Sequence, residues 1–259
     1  MSVKNNMKRL LNFFTALIFL FFTGCSSSLT IKAQKDSSAH INLETDIGTT
    51  VASLITNLTQ SLNAFGMGDF FEQNIKPFAN MQFFYAPQIK AALSTGDITD
   101  IEVSTPSATS VSISGTLPPP SKQKTSTSNG IKIANFVTCT QSSLTVILSP
   151  STVRKIYDIL SDDTKASVDL LMAPVFTGEQ MSENEYKELI ISVYGEDISK
   201  ELLSSEIKIT LEVPEGCSLK KSSLSQTENS KTAKDKAVFN IPLVEFLTLQ
   251  EAKTFSITW

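Results

Sequence analysis

The chain has 259 residues and a formal net charge of −4, with 41% hydrophobic and 19% charged residues. That excludes a disordered chain and suffices for a sizeable core. One His (His40) and two Arg (Arg9, Arg154) exclude a His-built metal site and an Arg-built phosphate clamp, and the acidic balance argues against a nucleic-acid partner. Ser and Thr together number 61, which leans toward a β-rich extracytoplasmic domain.

Lys4, Lys8 and Arg9 form a basic start, followed by an apolar run from Leu10 to Thr23 broken only by Asn12 and Thr15. The run is short for a bilayer span and suits the apolar stretch of a signal peptide. It stops at Phe22-Thr23-Gly24-Cys25. This stretch resembles bacterial lipoprotein precursors, whose lipobox reads roughly Leu-(Ala/Ser/Thr)-(Gly/Ala)-Cys. Gly24, Cys25 and Thr23 match, and Phe22 departs from the usual Leu, a position at which spirochaete-type lipoboxes are looser. The resemblance implies cleavage before Cys25, a diacylglyceryl thioether on its sulfur and a palmitate-type acyl group on the new N-terminus. Two or three acyl chains anchor a protein stably, whereas one does so only marginally. The polar run Ser26-Ser27-Ser28 favours cleavage over an uncleaved anchor helix. Without residues 1–24 the chain carries 19 basic and 26 acidic residues, so the lipid and not charge must hold it to an anionic membrane.

The mature chain opens with two alternating stretches, 29–35 and 39–45, around Asp36-Ser37-Ser38, which predict a β-hairpin directly after the anchor. A lipidated Cys followed by strand, Asp-Ser turn and strand is also similar to the opening of LppM-like bacterial lipoproteins, from which no activity is carried over. A helix over 46–65 follows from Ile47, Val51, Leu54, Ile55, Leu58, Leu62 and Phe65. Seven aromatics then fall between Phe65 and Tyr85, among the breakers Gly66, Gly68, Pro77 and Pro87. They read either as core of an irregular segment or as an apolar contact surface built from Phe70, Phe71, Phe78, Phe83 and Phe84, with Met67 and Met81 adding adaptability.

Residues 88–94 predict a short helix, and strands follow around Ile98–Val103 and 111–115. The Pro-opened polar stretch 118–130 reads as an exposed loop. Ile131, Ile133 and 143–148 continue the sheet. A helical block spans 149–205. Ser149-Pro150 supplies its first cap, a second helix runs near 162–173 to Pro174, and a third opens on the capping box Ser182-x-x-Glu185, with the stripe Tyr186, Leu189, Ile190, Val193 and a stop at Gly195. A short fourth helix covers about 197–204. Strands resume at 207–213, then come a polar loop over 214–235, a strand up to Pro242, an apolar connection at 243–249 and the alternating end Phe255, Ile257, Trp259. That end resembles the terminal strand of outer-membrane barrels, but the predicted helices contradict a barrel, and Trp259 reads as a core aromatic.

These elements predict an α+β fold, a mainly antiparallel sheet of about seven or eight strands with helices packed on it. Residues 1–24 are the signal peptide and 25–259 one lipid-anchored envelope domain. If Cys25 is acylated, Cys139 and Cys217 remain as one disulfide or as two unrelated thiols. No nucleophile motif, phosphate loop or calcium loop is present. His40 lies on the polar face of a predicted strand, and the acid pairs Asp162-Asp163 and Glu183/Glu185 suit helix N-termini. The expected function is a non-catalytic binding or scaffolding lipoprotein at the cell membrane, periplasmic or surface-facing. It would have no cofactor, metal or catalytic residue, its membrane contact would run through acyl groups on Cys25, and its partner would be a protein or an apolar ligand. The alternative is a membrane-tethered hydrolase with dispersed residues.

Overall fold

A computed structural model describes residues 26–46, 84, 86–94, 96–122, 133–158, 169, 172–223 and 231–259. The predicted hairpin is β1 (Ser26–Ala33) and β2 (Ala39–Asp46), paired in antiparallel register from Ser26↔Asp46 to Ala33↔Ala39. Its turn is closed by Asp36, whose Oδ1 accepts from the Ser38 backbone N–H at 3.0 Å and the Ser38 hydroxyl at 2.5 Å. Ser37 takes the left-handed conformation at φ 66°.

Helix α1 (Ala86–Leu93) leads to the edge strand β3 (Thr99–Ser104), which pairs with β4 (Ser110–Leu117), and β4 pairs with β2. Later in the chain come β7 (Glu206–Glu212), the two-residue β9 (Lys231–Thr232) and β10 (Lys236–Pro242). Together these strands form a seven-stranded sheet in the order β3-β4-β2-β1-β7-β10-β9. Its ladders are antiparallel except β1–β7, a parallel pair in register from Ser26↔Glu206 to Lys32↔Glu212. The register sets Ile31 beside Ile41 and Leu211, and Ile209 beside Phe239. All are buried, so the alternating apolar positions of the strands share one inner face.

A second sheet of four strands holds β5 (Val137–Cys139), β6 (Ser143–Leu148), β8 (Lys221–Ser222) and β11 (Lys253–Thr258), in the order β5-β6-β11-β8. Phe239 of the large sheet meets Phe255 of the small one edge to face, with centroids 5.2 Å apart. The expected mainly antiparallel sheet of about seven or eight strands is thus present with seven, and the correction is that four further strands form a second sheet rather than joining it. The described residues are mostly sheet, divided into two, with one parallel pair at the heart of the larger.

The described helices are few and short. α2 (Pro150–Asp158) starts as expected, the Ser149 hydroxyl accepting from Thr152 N–H at 3.2 Å. Pro174 opens α3 (Pro174–Thr177), because its fixed φ and missing N–H suit a first helical turn. α4 (Glu183–Tyr194) has the predicted capping box. Glu185 N–H donates to Ser182 Oγ at 3.3 Å, and Ser182 N–H donates to Glu185 Oε2 at 2.8 Å. The Ser182 backbone and hydroxyl bonds hold the Glu185 carboxyl below its usual pKa. Tyr186 and Ile190 are buried as read, but Val193 is 51% exposed. α5 (Glu196–Leu203) follows Gly195, whose φ of 77° allows the sharp corner. The apolar connection after Pro242 is helical, α6 (Leu243–Leu247), with Leu243, Val244, Phe246 and Leu247 buried.

Two further expectations change. Ile133 sits in a 3-10 turn (Ile133–Asn135), tied by its N–H to Asp97 Oδ1 at 2.9 Å, and not in a strand. The polar stretch 214–235 is not all loop, since it contributes β8 and β9 and packs a half-buried Leu219 on the core. Of the predicted helix at 46–65, Asp46 ends β2 and the rest lies outside the described residues, as does most of the helix predicted near 162–173. Buried residues of both sheets and of the helices make one apolar cluster.

Candidate functional site: the attachment end of the sheet

Strand β1 is the fourth of seven in the sheet order, with three strands on either side. Its first described residue, Ser26, is already paired on both flanks, with Asp46 of β2 and Glu206 of β7. Next along, Ser27 is buried, and its hydroxyl lies 3.2 Å from that of Thr45. The sequence allows this because Ser28 falls on the half-buried outer face while Ser27 and Ile31 are buried and Leu29 packs half-buried against the core. Cys25 lies outside the described residues and immediately precedes Ser26, where the chain enters the middle of the sheet.

This end of the sheet also carries the uncharged β3–β4 connection at 105–109, the turn Ser204-Ser205 before β7, and Pro242 paired with Glu206. Ser205 accepts from Leu243 N–H at 2.8 Å, which ties α6 to the same end. Asp46 and Glu206 are the acidic residues flanking Ser26. The outer face above it is a broad polar surface. Ser28, Thr30, Asn42, Ser112, Ser114 and Thr116 lie on it half-buried, with Lys208 and Glu44 exposed beside them. Asn240, paired with Lys208, keeps a buried Oδ1 that has no hydrogen-bond partner.

Phe70, Phe71, Phe78 and Phe83, candidates for an apolar contact, lie outside the described residues. Phe84 is described and is 1% exposed within the core cluster, so it packs the interior and does not offer a contact surface. The disulfide allowed by the cysteine count is not formed; both Cys139 and Cys217 are free thiols. Cys139 is buried and donates from Sγ to Ser38 O at 3.3 Å, and burial pushes its thiol up to about 11. A buried thiol with that bias is a poor nucleophile. His40 is exposed and paired across strands with Lys32 and Thr116, as its alternation indicated. Among the described residues no group of three His, Cys, Asp or Glu side chains is placed to hold a metal ion, and no helix is long and apolar enough to cross a membrane. No family model matches this chain, and no curated protein or solved structure matches it significantly.

Proposed function

We propose that this protein is a lipid-anchored envelope lipoprotein, a non-catalytic binding or scaffolding module whose folded domain stands directly on the bilayer. One juxtaposition carries the reading: the lipobox-like Phe22-Thr23-Gly24-Cys25 abuts a strand that is hydrogen-bonded on both sides from Ser26 onward. A diacylglyceryl group on Cys25 would thus be joined to the centre of the large sheet with no flexible tether, and the Ser26 end would face the membrane. The Ser/Thr-rich connection 105–109 and Ser204-Ser205 suit that position, because they bring no charge to a headgroup surface that the mature chain's acidic balance would otherwise oppose. In this reading the fold is α+β, with the helices and the small sheet covering the inner face of the large one and the outer polar face left for partners.

Metabolic labelling with a fatty acid tests the anchor. The wild-type chain should take up label and lose residues 1–24, and Cys25→Ala should give an unlabelled, unprocessed precursor. Label at wild-type level in the variant rejects the reading.

A further inference from the structure

The end of the large sheet opposite Ser26 collects the lysines. Lys35 lies in the β1–β2 turn and Lys122 just beyond β4. The β9–β10 hairpin brings Lys231, Lys234 and Lys236, the last paired with Glu212, which also pairs with Lys32. The small sheet adds Lys220 and Lys221, because Leu219 N–H donates to Lys234 O at 2.8 Å and Lys220 N–H to Thr258 O at 2.8 Å. Lys35 Nζ stands 4.0 Å from where a Cβ on Gly216 would lie, so the β1–β2 turn and the loop after β7 share this surface.

The segregation is pronounced for an acidic chain. The described residues include fifteen Lys or Arg and twenty-one Asp or Glu. Eight of the basic ones are at this end, all but the half-buried Lys32 exposed. The acids beside them are Asp36, Glu212, Glu215 and Asp235, with Asp97 and Asp100 at the β3 edge. Asp36 is held by Ser38, Asp97 accepts from Ile133 N–H, and Asp100 accepts from the Thr99 hydroxyl. Among the described residues the ion pairs are Lys187–Glu183 and Lys253–Glu245, neither at this end.

We propose that this lysine-rich end docks an acidic segment of a partner protein. The lysines run from the β4 end to the β9 edge, five strand spacings or about 24 Å, which matches roughly seven residues of extended chain. They are point charges on flexible stems and include no arginine, so the surface suits dispersed carboxylates and lacks the planar fork that selects phosphate. Trp259, the aromatic beside Lys220 and Lys221, packs against the core and offers no platform for stacking bases. The proposal does not rest on acylation of Cys25.

The test uses the mature chain in neutral detergent, with fluorescent poly-L-glutamate as probe and binding read by anisotropy at low salt. Poly-L-glutamate should bind and be released as salt rises, since the contacts are solvent-exposed. Lys35→Glu with Lys234→Glu should weaken binding at least about tenfold, while Arg154→Glu with Lys200→Glu, an equal charge change elsewhere, should leave it within about twofold. Thermal melts confirm that both variants fold. The proposal is overturned by absence of binding, by equal loss in the two variants, or by polygalacturonate or phosphatidylglycerol vesicles binding as tightly as poly-L-glutamate.

Discussion

Cys139 and Cys217 are chemically alike and differently placed. Cys139 is buried on β5 with its thiol donating to Ser38 O, whereas Cys217 is half-buried in the loop after β7. Alkylation of the native protein near neutral pH should therefore modify Cys217 first, with Cys139 reacting only after unfolding; mass spectrometry of timed samples reads the order, and equal rates would contradict the packing. Burial raises the Cys139 thiol from 9.0 to about 11, so the fold favours the protonated form. The linked stability is fully present below pH 9.0 and is lost as pH rises toward about 11. Thermal melts across that window should fall more steeply for the wild type than for Cys139→Ala.

At the scale of elements, the contact between the two sheets matters most. Phe239 and Phe255 are both buried, come from different sheets and meet edge to face. Phe239→Ala should cost about 3–5 kcal/mol in urea unfolding, from lost burial and the cavity left behind. In a double-mutant cycle with Phe255→Leu, the ring pair should show a coupling of about 0.5–1.5 kcal/mol, and strictly additive losses would mean that the sheets do not communicate through these rings. The edges of the large sheet are protected in different ways. β3 is interrupted by a register shift between Thr99 and Glu102, with Asp100 at φ 54°, and β9 is only two residues long. Both features discourage strand addition by another chain.

For the whole molecule, the large sheet separates two ends of different character. From Ser26 to Ala33, β1 rises about 23 Å, from the end where Asp46 and Glu206 pair with Ser26 to the lysine-rich one. Trp259 belongs to the latter, since its N–H donates to Ser142 O at 3.1 Å and its neighbour Thr258 accepts from Lys220. In vesicles carrying the acylated protein, brominated acyl chains should therefore leave Trp259 fluorescence unchanged. Quenching comparable to that of a membrane-inserted tryptophan would show that the domain does not stand on its Ser26 end.

Local chemistry alone determined much of the molecule. Strict alternation specified β1, β2, β4 and β10, the Asp36–Ser38 turn joined the first two, and the Ser182/Glu185 box with Gly195 set the limits of α4, because each signal lies within a few residues of what it controls. What only the tertiary structure decided depends on partners distant in sequence. Nothing near Ser26 announces Glu206 as its parallel neighbour, and alternation specifies a strand's faces without specifying its sheet, so the division into two sheets was not visible. Val193 kept the helical spacing and is exposed because α4 buries only the face carrying Tyr186 and Ile190. Phe84, grouped in sequence with contact candidates, was drawn into the core. The lysine-rich end was the least legible feature, since its residues come from four separate stretches of chain that only strand pairing brings together.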